Sequence, residues 1–284
     1  MGRRIPGRLT LALARSIVDA MIRFAQDNML APGSYAVADE GGYPLAFERR
    51  DGAPPATSDI ALEKAWTAAT MKASGRLLEV ITRGQGWRLN VKYGGRLTVI
   101  PGTIPIIAGG KVIGGIGHSG ESAENDLRIA QAGLAALYRE DPPKPERLDP
   151  TLSLARRVAE QLIEAGKPVA VAVVDEWGWP IVMYRADNAA PGLVEIARSK
   201  AWTAAAFRTP SEEASKYCRS SAGEARGCEC TWGLNERYLP LLGGIPFTTA
   251  EGTTLAVGVA GLTPEEDKAL ALKALSSLGL KPLT

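Results

Sequence analysis

Apolar residues recur with two periods along this chain, and each period appears twice. Leu9, Leu13, Ile17 and Met21 repeat at four-residue steps, the stripe of an amphipathic helix. The run SYAVADEGGYPLAFERR (34–50) reads instead as two β-segments around a glycine-containing turn, which predicts a hairpin. A second helix is expected over 58–73, then a less regular segment. Two further β-runs, LTVIPGTIPIIAGG and KVIGGIGHSG, meet at Gly109–Gly110, and a last helix follows with Ser122 as its N-cap. Hairpins rather than βαβ units indicate an antiparallel sheet with helices packed on it.

The same order of elements then returns. LALARSIVDAMI (11–22) matches LSLARRVAEQLI (152–163), and DEGGYP (39–44) matches DEWGWP (175–180). EKAWTAA (63–69) matches SKAWTAA (199–205), GTIPI (102–106) matches GGIPF (243–247), and GHSGESAEND (117–126) matches GVAGLTPEED (258–267). The offset is 141 at both ends and 136 in the middle, so repeat 1 has five extra residues near Asn28–Gly33 and repeat 2 five extra between Lys200 and Gly243. In repeat 2 the last helix opens with Thr263-Pro264-Glu265-Glu266, a capping box with proline at its first position. A unit this long is a domain, not a solenoid repeat. The expected organisation is a domain over 8–138, a charged, proline-rich linker over 139–150 and a second domain over 151–279. The copies are expected to form an intramolecular pseudo-dimer, and the chain a homo-oligomer.

Composition narrows the function classes. The 33 basic and 31 acidic residues give a net charge of +2, which offers no electrostatic case for nucleic acid. No apolar run reaches the roughly 18 residues that a membrane helix needs, so no membrane association is expected on that ground. The first residues are basic, but the helix after them carries Arg15, Asp19 and Arg23, unlike the apolar core of a signal peptide. Three cysteines do not make a disulfide framework, and a cytoplasmic, reduced protein is expected.

The motifs VAVVDEWGWPIVMYRADNA, SKAWTAA, GGIPF and GVAG…EED resemble the GlcG/HbpS-like family, which includes the C-terminal domain of PduO-type proteins. The resemblance appears twice in tandem. It implies an α/β fold of the α+β type, each domain a largely antiparallel five-stranded sheet flanked by helices and often assembled into oligomers. It also implies haem or another tetrapyrrole as a ligand, since some members bind or degrade haem, while others stand beside corrinoid or glycolate metabolism. Fold alone does not settle function.

His118, the only histidine, lies in GHSGE. This is not a nucleophile elbow: Gly120 and Glu121 are in the wrong order for G-x-S-x-G, and no second histidine serves as base. Glycines at 120 and 261 fit a strand end and turn. His118 and Ser119 are matched by Val259 and Ala260, so the polar pair belongs to one copy. His118 is the candidate proton carrier or haem axial ligand, and Ser119 a ligand contact. Lys64 and Lys200, on small-residue helix faces, are candidate catalytic or anion-binding groups; the alternative is a snorkelling lysine or a structural ion pair to Asp39 or Glu63.

Arg49 and Arg185 end apolar stripes and could clamp a carboxylate, or pair with Asp51 and Asp187. Asp39 and Asp175 are ligand candidates whose D-x-x-G setting equally suits a turn. Asp126 and Asp267 stand in a first helical turn, where negative charge is favourable. Cys218, Cys228 and Cys230 form C-x9-C-x-C, which lacks a standard zinc spacing and a fourth ligand; they stand as metal candidates beside a free-thiol reading. Three functions follow: tetrapyrrole binding, a cofactor-free lyase or isomerase on a small anionic metabolite, or a non-catalytic oligomeric scaffold.

Overall fold

Side-chain caps set where the first and last helices of the first repeat begin. Thr10 accepts from the Leu13 amide to start α1 (Leu11–Asp27), and Ser122 accepts from the Asn125 amide to start α5 (Ala123–Ala136). The computed structural model describes residues 7–218 and 236–283, and the chain divides into two units, Met1–Leu152 and Ser153–Thr284.

In unit 1, α1 is followed by β1 (Ser34–Asp39), β2 (Pro44–Arg49), α2 (Thr57–Thr70), two short helices α3 (Gly75–Ile81) and α4 (Gly86–Lys92), β3 (Thr103–Ala108), β4 (Lys111–Ser119) and α5. The sheet runs in the order β3-β4-β1-β2 with every pairing antiparallel. Ser34 lies opposite both Arg49 and Ser119, and Tyr35 opposite His118. Helix α2 lies directly on β4: a Cβ added to Gly117 would stand 2.0 Å from the Ala61 carbonyl oxygen. The absence of a side chain there is what lets helix and strand backbones touch. On the opposite face α1 and α5 pack together, Gly133 against Ile17 and Met21.

Unit 2 contains α6 (Pro150–Ile163, whose first residues fall in unit 1), β5 (Ala170–Val174), β6 (Pro180–Arg185), α7 (Leu193–Phe207), a 3₁₀ helix (Ser211–Cys218), β7 (Gly244–Thr248), β8 (Thr254–Ala260), α8 (Pro264–Ser277) and β9 (Lys281–Pro282). Its strands run β6-β5-β8-β7-β9, again antiparallel. The capping box of Thr263 and Glu266 is formed. Gly258 meets α7 as Gly117 meets α2, its added Cβ 2.0 Å from the Ala197 carbonyl oxygen.

Asp39 and Asp175 close the two hairpin turns. Asp39 Oδ1 accepts from the Gly41 and Tyr43 amides, and Asp175 Oδ1 from those of Trp177 and Trp179. Among the described residues no helix is long and apolar enough to cross a membrane.

Candidate functional site

The end of β4 brings three ionisable side chains together. Lys64 sits one turn past Ala61 on α2, where close helix–strand contact carries its stem over the sheet. Its Nζ donates to the His118 carbonyl oxygen at 2.7 Å and pairs with Asp126 Oδ2 at 2.7 Å. Asp126 is in the first turn of α5, and its Oδ1 accepts from the Glu121 amide at 3.0 Å and meets His118 Nδ1 at 2.9 Å. Lys64, His118 and Asp126 are all buried. The ion-pair partner of Lys64 is therefore Asp126, not the Asp39 or Glu63 expected from the sequence.

These contacts set the protonation states. Burial pushes the Lys64 ammonium below its ordinary pKa, with the Asp126 carboxylate opposing. Burial also pushes His118 down, against the hydrogen bond and charge of Asp126, so the imidazole is neutral near pH 7. Burial works to raise Asp126, but the His118 hydrogen bond and the Lys64 charge outweigh it and hold the carboxyl below its usual range. A neutral imidazole beside an ionised carboxylate carries its proton on Nδ1, which leaves a lone pair on Nε2.

That Nε2 is buried and has no hydrogen-bond partner. The Tyr35 ring lies beside the imidazole, centroids 4.7 Å apart, and the Gly33 backbone covers the nitrogen. A Cβ on Gly33 would stand 2.6 Å from Nε2. The covering segment is tied down where the Ala31 amide donates to Glu121 Oε1 at 2.7 Å.

Unit 2 keeps the framework without the imidazole. Lys200 Nζ donates to the Val259 carbonyl oxygen at 2.9 Å and pairs with Asp267 Oδ2 at 2.8 Å, while Asp267 Oδ1 accepts from the Leu262 amide. The position of Gly33 is taken by Val169 and that of His118 by Val259. Lysine and aspartate thus form a duplicated tie between two helices and a strand end. The histidine is an addition to one copy, with room made for it by Gly33.

The other candidates lie elsewhere. Ser119 follows His118 on the opposite strand face and is nearly buried, as alternation requires. Arg49 and Arg185 are buried at the ends of β2 and β6, and each donates to a backbone carbonyl four residues on, Ala53 and Ala189. Asp39 and Asp175 are in the hairpin turns already described. Cys218 ends the 3₁₀ helix, and Cys228 and Cys230 lie outside the described residues. Among the described residues no group of three His, Cys, Asp or Glu side chains is arranged to hold a metal ion. Sequence reasoning missed Asp126 and Asp267 as the lysine partners, and Gly33 and Tyr35 as the walls around His118. A signal for the aspartates was present, since lysine and aspartate are both kept in the two copies.

The family model described as "Haem degrading protein HbpS-like" matches residues 9–135 and 148–276. The chain belongs to the HbpS-like family. It carries the family domain twice in tandem, so single-domain relatives align with less than half of it. An uncharacterised 15.0 kDa protein from the dhaT-dhaS intergenic region of Citrobacter freundii is 31% identical over 128 residues, 44% of this chain and 89% of that protein. Protein GlcG of Escherichia coli K12 is 34% identical over 112 residues, 39% of this chain and 81% of GlcG. Among solved structures, a PduOC:heme complex is 26% identical and spans 48% of this chain and 99% of its own, with a TM-score of 0.44.

A haem iron needs an open coordination position on its axial nitrogen and room for the macrocycle beside it. The donor chemistry of His118 suits that role, because a carboxylate-oriented imidazole with a free lone pair is the usual form of a metal-bound histidine. The space does not. In the tandem HbpS-like structure Nε2 is fully buried with Gly33 close against it, so the expected axial ligation by His118 does not fit this closed arrangement. Propionate binding by Lys64 and Lys200 does not fit either, since both ammonium groups are buried in ion pairs.

Proposed function

We propose that this protein binds a small-molecule ligand, haem or a related tetrapyrrole, without an axial bond from His118. The observation that carries the reading is membership of both units in a family described by haem degradation. The proposal stops at binding. In a lyase or isomerase, His118 and Lys64 would have to reach a substrate, but His118 Nε2 is covered and Lys64 holds Asp126 and a backbone carbonyl. Their common role is to fix the end of β4 against α2 and α5.

The test is a titration of the full chain with haemin, followed in the Soret region and by native mass spectrometry. The expected result is saturable binding with a displaced Soret band and a mass increment of whole haem molecules per chain. A spectrum equal to free haemin at every ratio, with no adduct, would overturn the proposal.

A further inference from the structure

We propose that the outer face of residues 72–100 in unit 1 is a docking surface for an anionic lipid bilayer. This stretch carries six basic residues, Lys72, Arg76, Arg83, Arg88, Lys92 and Arg96, against one acid, Glu79. That local excess is larger than the +2 of the whole chain. All six basic side chains are exposed. The matching stretch of repeat 2, 208–241, holds five acids and five bases, so the framework of the fold does not demand the basic charge.

The same segment exposes aliphatic side chains. On α3, Leu77, Val80 and Ile81 lie at i, i+3 and i+4, with Val80 68% and Ile81 64% exposed. On α4, Val91 is 71% exposed and is flanked at i−3 and i+1 by exposed Arg88 and Lys92. Ile100 is exposed at the end of the segment. This is not an inner face turned outward. Leu78 and Leu97 are buried on the inner side, the Thr98 amide donates to Thr67 Oγ1 at 3.0 Å, and the Asn90 amide closes the loop onto the Gly95 carbonyl.

Exposed aliphatic groups interspersed along one segment with exposed arginine and lysine match the boundary between acyl chains and anionic headgroups. The charge asks for an anionic partner. Among the described side chains of the segment, five exposed aliphatics, Leu77, Val80, Ile81, Val91 and Ile100, outnumber the one exposed aromatic, Tyr93, whose ring packs on Trp66, and this balance selects lipid over a nucleic acid that would stack on free aromatics. Short two-turn helices lying on the surface, with their cations able to reach upward, suit reversible adsorption and not insertion.

The full-length chain is sedimented with vesicles of phosphatidylcholine alone and of phosphatidylcholine with phosphatidylglycerol. It should pellet with the anionic vesicles, progressively less as salt is raised, and remain in solution with the zwitterionic ones. R83Q with K92Q should weaken partition by about thirtyfold, roughly fivefold for each cation removed. V80S with V91S should weaken it at unchanged charge. All four positions are exposed, and unaltered circular dichroism and Tm check that the variants fold. Absence of pelleting, equal pelleting with both lipids, or insensitivity to both pairs of substitutions would overturn the proposal. So would a self-association, seen by equilibrium sedimentation, that the same substitutions abolish while vesicle binding stays intact.

Discussion

Lys64, Asp126 and His118 show how one buried cluster holds two kinds of information. The lysine–aspartate pair recurs as Lys200 and Asp267, with the same second bond to a strand carbonyl. Removing one partner of a buried pair leaves an uncompensated charge, a loss of about 3–5 kcal/mol. Lys64→Met and Lys200→Met should each destabilise the protein by that amount in urea unfolding; a change within about 0.5 kcal/mol would show that the pair is not a structural tie. His118 adds a pH response. Its folded pKa lies below the ordinary 6.5, so below about pH 6.5 the unfolded chain binds a proton that the folded chain excludes. Stability therefore rises with pH through that window, by at most about 1.4 kcal/mol per pH unit from this group. Asp126, held low in the fold, adds a loss at lower pH in the same direction. His118→Val should flatten the difference between pH 5 and 7, and an unchanged pH profile would contradict a neutral buried imidazole.

Gly33 and His118 also form a matched pair, as Val169 and Val259 do in the other unit. Gly33→Val alone should cost about 1–3 kcal/mol by overpacking against the imidazole and the Ser119 carbonyl. Adding His118→Val should recover part of that loss, with a coupling energy above about 0.5 kcal/mol. Additive effects would mean that the two sites do not share their space.

Among the elements, what was legible followed from local rules. The hairpins and the caps of Ser122 and Thr263 are set by turn residues and capping side chains and appear where the sequence places them, while the helix expected over 58–73 runs over Thr57–Thr70, three residues short at its end. Helices α3 and α4 show in the sequence only as an irregular segment, because two turns each are too short for a period to emerge. The ion-pair partners escape local rules for another reason. Asp39 and Glu63 are near Lys64 in sequence or in the expected hairpin, whereas Asp126 is brought close by the seating of α2 on a glycine-bearing strand. That seating is testable. Gly117→Ala and Gly258→Ala each place a Cβ about 2.0 Å from a helix carbonyl and should lower Tm, with the larger substitution Gly→Val worse at both positions.

The molecule as a whole is one domain written twice with the chemistry made unequal. Both units keep the sheet order, the helix–strand contact and the lysine–aspartate tie. Only unit 1 has the imidazole, and it carries the basic, exposed aliphatic segment of residues 72–100. The sequence revealed the duplication and the family, and it singled out His118 because that residue has no counterpart. It did not reveal that His118 points into a closed space, since the cover comes from a loop residue 85 positions away. The most direct measurement is a haemin titration of the wild type beside His118→Val. A covered Nε2 predicts the same stoichiometry, Soret maximum and affinity for both. A Soret band that is displaced in the wild type and lost in His118→Val would contradict it, by showing that Nε2 reaches the iron.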